Sequence, residues 1–329
     1  MISLHLSHFR KIESRGAPIF QGSLMKRIAL VLALTATFIS FPLAAQDQPT
    51  RPPITGIAHV RIYSTDRHKS LDFYSRILGM TPGKARCTGM VNPCVIVNDH
   101  QQSQLSEVAS ASASAPPTNL LAEIAFATPD LARMRSYLVA HNVAVGPVGR
   151  DINSVAHFSL RDPEGNPIAF VQFHPLTESK APVGNLSTRM LHAGFIVKDR
   201  AAEDRFYRDL LGFHVYWHGG MKESEDNWVD MQVPDGTDWI EYMLNVPANA
   251  DHHTLGVMNH IALGVPDIHA AEAQLRKNGW SGNEQPKIGR DGKWQLNLYD
   301  PDDTRVELME FTPTQKPCCS EYTGPHPKP

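Results

Sequence analysis

His192, Glu241, His260 and Glu307 are the residues of this chain whose types and spacing suit chemistry. Glu241 follows His192 by 49 positions and Glu307 follows His260 by 47, so a histidine and a glutamate recur as a pair at nearly the same gap. Neutral imidazoles and carboxylates are ordinary ligands of divalent first-row metals, and a metal with open positions polarises a bound oxygen as a Lewis acid. The set predicts one divalent ion (Ni, Zn, Mn or Fe(II)) and no other cofactor. Any one of these residues alone would be read as core or surface. Four at matching places in two related segments argue for a shared site.

Strand parity explains how the four side chains can meet. From Asn259 to Val265, the set Ile261, Leu263 and Val265 falls on one face, while His260 shares the other with Ala262 and Gly264. The apolar face can pack on helices, leaving the histidine face, with its small neighbours, to a concave surface. His192 has the same setting, with Gly194 two residues on. Glu241 lies between Trp239 and Met243 on its face, and Glu307 between Arg305 and Met309. A carboxylate buried in such company needs a partner.

The segments that carry the quartet belong to a chain written twice. Phe73-Tyr74-Ser75-Arg76-Ile77-Leu78-Gly79 recurs as Phe206-Tyr207-Arg208-Asp209-Leu210-Leu211-Gly212, an offset of 133, and Asp162-Pro163 recurs as Asp300-Pro301, an offset of 138. Residues 54–175 form the first copy and 188–313 the second, with a Pro- and Ser-containing connection between them and a flexible tail over 314–329. Each copy divides again into two units. In the second copy, Met190 to Val197 and Met258 to Val265 read as strands, each followed by an apolar stripe at helical spacing that Gly212 or Gly279 stops, with Asp267 as a cap. Gln295 to Tyr299 and Thr304 to Phe311 read as strands around the turn at Asp300-Pro301-Asp302-Asp303. The predicted class is α+β, four β-α-β-β-β modules in two domains.

Composition fits a globular protein of two domains: 329 residues, 20% charged and 42% hydrophobic. The formal net charge of -3 and the lack of a basic stripe make nucleic acid an unexpected partner. Met25-Lys26-Arg27, an apolar run from Ile28 to Leu43 and Ala44-Ala45-Gln46 read as a secretory signal peptide over 25–45. Residues 1–24 then form an upstream extension. The run is short and broken by Pro42, so no stable membrane anchor is expected, and a periplasmic or secreted location is. Export permits disulfides: Cys87 and Cys94 flank a turn region and either bridge or stay free, while a bond between the adjacent Cys318 and Cys319 would be strained.

The four modules, a His in the first strand and a Glu in the last, and the run Leu298 to Leu308 together resemble the vicinal oxygen chelate superfamily over residues 54–313. That superfamily includes glyoxalase I, bleomycin-binding proteins and extradiol dioxygenases. The resemblance implies half-open barrels around one metal, held by His192, Glu241, His260 and Glu307, and a small-molecule substrate. With four ligand positions filled, the second copy looks most like glyoxalase I, in which a ligand carboxylate moves a proton between adjacent carbons. By position, Glu307 is the first choice of base and Glu241 the second.

In the first copy the same positions read His59, Gln104 (or Glu107), Glu123 and Ala169, which leaves the set broken, with Arg61 placed to pair with Glu123. A degenerate domain before a complete one is also the layout of extradiol dioxygenases, and in that reading His192, His260 and Glu307 form a facial triad on Fe(II). Against it, Glu241 adds a fourth ligand, and Asp291-Gly292-Lys293 stands where those enzymes carry an acid-base histidine. A third reading is a periplasmic binding protein that catalyses nothing. His218, His252 and His253 are spare histidines, the last two read as surface. Trp228, Tyr242, Lys293 and Trp294 are candidates for the pocket wall, with core or surface the commoner fate of each.

Overall fold

The computed structural model describes residues 49–83, 94–107 (backbone only from 104), 120–151, 154–173 and 180–329. The expected signal peptide at 25–45, the extension at 1–24 and Cys87 lie outside these residues. Among the described residues, no helix is long and apolar enough to cross a membrane.

The first domain contains β1 (Gly56–Ser64), β2 (Thr81–Gly83), β3 (Cys94–Ile96), β4 (Gln102–Glu107), β5 (Leu121–Thr128), β6 (Gly149–Arg150), β7 (Ala156–Arg161) and β8 (Pro167–Gln172). These form one curled sheet in the order β2-β3-β4-β1-β5-β8-β7-β6. The second contains β9 (Arg189–Ile196), β10 (His214–Gly219), β11 (Trp228–Gln232), β12 (Trp239–Met243), β13 (His260–Val265), β14 (Lys287–Ile288), β15 (Trp294–Tyr299) and β16 (Arg305–Glu310). Its order, β10-β11-β12-β9-β13-β16-β15-β14, repeats the first. In each sheet the first strands of the two modules pair antiparallel at the centre, and each pairs in parallel with the last strand of its own module. The chain is therefore an α+β protein of four β-α-β-β-β modules.

The helices are short. α1 (Arg67–Asp72) runs into a π-helical turn at Phe73–Ile77, and α2 (Leu131–Ala140) serves the second module. α3 (Arg200–Glu203) likewise runs into a π-helical turn at Asp204–Leu210. α4 (His252–Met258) is a connector, and α5 (Ile268–Lys277) starts at Asp267, whose carboxylate accepts from the amides of His269 and Ala270. His252 and His253 open this connector helix, which Asp251 caps at Thr254 N. Ile261, Leu263 and Val265 join Phe195, Tyr207 and Tyr242 in one apolar core that spans both domains, as the parity argument requires. Leu191, Tyr216, Trp217, Trp239, Ala262, Met309 and Phe311 form a second cluster in the second domain.

The repeated motifs hold the two domains together. Tyr74 donates to Asp300 Oδ2 at 3.2 Å and Tyr207 donates to Asp162 Oδ2 at 3.4 Å, so the tyrosine of each copy's Phe-Tyr motif holds the Asp-Pro turn of the other. Asp238, buried next to Trp239, accepts from Ile57 N at 2.9 Å and from Gln101 Nε2 at 3.0 Å. The first domain thereby fixes the start of β12, the strand that carries Glu241.

The C-terminal segment differs from expectation. Residues 314–329 pack along the second sheet: Trp217 Nε1 donates to Cys318 O at 3.1 Å, Thr323 N donates to Tyr216 O at 3.0 Å, and Tyr322 OH donates to Asp291 O at 2.8 Å. The first two satisfy a ring donor and a backbone acceptor of β10, a partner the local sequence of a Pro-rich tail does not announce. Cys318 and Cys319 form a vicinal disulfide here, and Cys94 is disulfide-bonded as well.

Candidate metal centre

His192 on β9, Glu241 on β12, His260 on β13 and Glu307 on β16 converge on the concave side of the second sheet. The central ladders bring them there: Glu241 sits opposite Gly194, His260 opposite Gly194 from the other side, and Glu307 opposite Ala262. His192 Nε2 lies 3.0 Å from His260 Nε2. Glu241 Oε2 is 2.9 Å from His260 Nε2 and 3.5 Å from His192 Nε2. Glu307 Oε2 stands slightly farther off, 3.9 Å from His260 and 4.0 Å from His192. Gly194 leaves the room this needs, because a Cβ there would overlap the His260 ring, 2.5 Å from Nδ1 and 2.7 Å from Nε2.

The donor atoms suit a divalent ion. Nδ1 of His260 is 3.3 Å from Met258 O, which assigns the ring proton to Nδ1 and turns the Nε2 lone pair toward the cluster. Two imidazole nitrogens and a carboxylate oxygen packed this closely repel one another unless a proton or cation lies among them. Separations of about 3 Å are what ligands at about 2.1 Å from one zinc-like ion present to each other. His192, Glu241 and His260 form a group able to hold a metal. Both imidazoles are pushed well below their usual range, His192 by burial, His260 and Arg305, and His260 by burial and Arg305. They are therefore neutral at pH 7, as ligation requires. Burial lifts the carboxyls of Glu241 and Glu307 to about 7 against the pull of Arg305.

A cavity of about 330 Å³ opens beside the quartet, lined by His192, Glu241 and Glu307 together with Trp228, Met243 and Arg305. Of the other candidates for its wall, Tyr242 lies in the apolar core instead, because it has the opposite parity to Glu241. Trp294 packs against that core, its ring meeting His269 at 4.8 Å. Lys293 is fully buried behind the site, its ammonium 4.5 Å from the Trp239 ring and 5.1 Å from that of Tyr322, with no hydrogen-bond partner. His218 pairs at the surface with Asp226, and His252 and His253 bond the turn at Asp302 and Asp303.

Two residues at the site went unassigned in the sequence. Arg305 shares the parity of Glu307, a signal that was there to use, and its guanidinium donates to His260 Nε2 at 2.8 Å. Asp230 sits opposite Glu241 across β11 and β12 and lines the cavity, with its carboxyl raised by burial and by Glu241. Only strand pairing reveals Asp230.

The first domain shows why its copy of the site is closed. Gln104 pairs with Arg61 as Glu241 pairs with Gly194, so the backbone register makes Gln104, not Glu107, the counterpart. Arg61 stands where the second copy has Gly194. Its guanidinium lies 3.1 Å from Glu123 Oε1, which also takes His59 Nε2 at 3.1 Å. Ala169 holds the place of Glu307. An internal ion pair fills the position that the quartet occupies in the second domain.

Both domains match the family model described as Glyoxalase/Bleomycin resistance protein/Dioxygenase superfamily, over residues 56–170 and 189–308. A lactoylglutathione lyase of Haemophilus influenzae is 26% identical over 129 residues, covering 39% of this chain and 96% of that protein. A probable chloroplastic lactoylglutathione lyase of Arabidopsis thaliana is 24% identical over 141 residues, and the chain spans only 40% of its length. Among solved structures, a variant of homoprotocatechuate 2,3-dioxygenase from B. fuscum superposes with a TM-score of 0.57 at 19% identity, over 84% of this chain and 74% of that one. The enzyme from Arthrobacter globiformis gives 0.56 at 16% identity, over 79% and 80%. With both copies matched over their whole length, the chain belongs to the glyoxalase, bleomycin resistance protein and dioxygenase superfamily.

Proposed function

We propose that this is an exported, metal-dependent enzyme of glyoxalase type, which moves a proton on a small molecule bearing neighbouring oxygens. The observation that carries the reading is Glu241: its carboxylate lies nearer the two imidazoles than Glu307 does, which makes it a fourth member of the set and not a bystander to a triad. His192, His260, Glu241 and Glu307 would hold the ion, which supplies Lewis-acid polarisation of the substrate oxygens. Glu307, buried and facing the cavity, takes the proton from one carbon and returns it to the next, and Glu241 is the second choice for that step. The apolar wall of Trp217, Trp228, Met243 and Met309 limits water around the reacting carbons.

The alternative is an extradiol-type dioxygenase using His192, His260 and Glu307 on Fe(II). It is favoured by the tandem layout shared with the homoprotocatechuate dioxygenases over 84% of this chain. Methylglyoxal with a thiol under nitrogen, then catechols with Fe(II) in air, separate the two. Thiohemiacetal turnover without oxygen supports proton transfer, whereas oxygen uptake with ring-cleavage colour moves the assignment to the dioxygenase. Inactivity in both assays favours a binding protein.

A further inference from the structure

We propose that Arg305 is a built-in counter-cation that must release His260 before a metal can be held there, and that it thereby sets the metal affinity of the site. The inference rests on the metal-dependent reading above. Arg305 and Glu307 are two residues apart on β16 and share its concave face. The parallel ladder sets Arg305 directly opposite His260. Its guanidinium donates to His260 Nε2 at 2.8 Å and lies 3.8 Å from Glu307 Oε2. Since Nδ1 of His260 faces Met258 O, the Nε2 lone pair is the only one that ring offers, and Arg305 is using it. That lone pair accepts from an N–H or binds an ion, not both. Ligation by His260 therefore requires the Arg305 N–H to withdraw, and the positive charge that offsets Glu241 and Glu307 is exchanged for that of the ion.

The withdrawn side chain has somewhere to go. Arg305 lines the 330 Å³ cavity, its Nε is buried without a hydrogen-bond partner, and its ion pair with Glu307 Oε2, at 3.8 Å, is too long for a hydrogen bond that would fix it against His260. In the first domain an arginine from a different position, that of Gly194, closes on the counterpart residues: Arg61 lies 3.1 Å from Glu123, where Ala169 supplies no carboxylate to recruit an ion.

Wild-type, Arg305→Met and Arg305→Lys proteins, stripped with a chelator, would be titrated with Zn(II) against a chromophoric competitor. Arg305→Met is expected to bind Zn(II) at least about tenfold tighter than wild type, with Arg305→Lys between the two. In wild type carrying 15N-arginine, saturating Zn(II) is expected to shift the side-chain resonance that Arg305→Lys removes, a readout that stands even if the methionine variant does not fold. Equal or weaker binding by a folded Arg305→Met, or an Arg305 resonance unmoved by saturating Zn(II), overturns the proposal. A wild type that takes up no divalent metal at all overturns instead the reading on which it rests.

Discussion

Gly194→Ala probes the site without touching any of the four candidate ligands. The new Cβ would overlap Cε1 of His260 and lie 2.5 Å from Nδ1 and 2.7 Å from Nε2, where ordinary contact begins near 3.4 Å. The ring therefore has to retreat by more than 1 Å, yet it is fully buried and has Arg305 on one side and Glu241 on another. Overpacking of this kind costs about 1–3 kcal/mol, which an average domain survives. The effect on the site is larger, because a group that orients a metal ligand is worth up to about 100-fold in metal affinity. Competition titration with Zn(II) should show affinity falling by about that factor, while urea unfolding still gives one cooperative transition. Gly264→Ala, on the strand of His260, is the matched control: its Cβ would lie 2.5 Å from Phe311 Cε1, away from the quartet. It should lose similar stability and keep its Zn(II) affinity. A folded Gly194→Ala protein that binds Zn(II) within threefold of wild type would refute the reasoning that His260 is a ligand held in place by the absence of a side chain opposite.

Other outcomes follow from the same geometry. Arg61→Gly with Glu123→His and Ala169→Glu should raise metal content from one to two ions per chain, and Glu123→His with Ala169→Glu alone should not, because Arg61 occupies the place that Gly194 leaves open; equal stoichiometry from both would contradict this. Glu203 is buried against the other domain's Asp-Pro turn, with its carboxyl lifted to about 8 by burial and by Asp162. The folded state holds that proton longer than the unfolded one, so stability is fully present below about 4.5 and is lost as pH rises from there through 8, by on the order of 5 kcal/mol. Glu203→Gln should flatten that slope in urea unfolding from pH 5 to 8, and an unchanged slope argues against the assignment. Lys293→Met should destabilise by roughly 3 kcal/mol, since Asp230 and Asp291 lose the buried charge that offsets them; a melting temperature at or above the wild-type value would show that the ammonium is dispensable.

The architecture was legible because it is written twice. Phe73-Tyr74 and Phe206-Tyr207 mark equivalent turns, and the paired His and Glu positions needed only period-two parity to point into one cleft. Alignment of the two copies also placed Gln104 ahead of Glu107, and the backbone register pairs it with Arg61. What stayed hidden depends on cross-strand or long-range neighbours. Asp230 acquires meaning only opposite Glu241, and Lys293 only beneath Trp239, Tyr216 and Tyr322, the last of which arrives from the C-terminal segment. That segment reads as a flexible tail from its prolines, yet its carbonyls and hydroxyls meet donors and acceptors of β10. Arg305 lay within reach of the same parity that found Glu307, but its hydrogen bond to His260 follows from the pairing of β13 with β16, which local sequence does not specify.

Metal content tests the central claim most directly. Protein purified without chelators, or stripped and reloaded with Ni, Zn, Mn or Fe(II) under nitrogen, should carry about one divalent ion per chain by elemental analysis, and His260→Ala with Glu307→Ala should carry none. A folded wild type that neither retains nor takes up any of these ions, or a double variant that binds as wild type does, would contradict it.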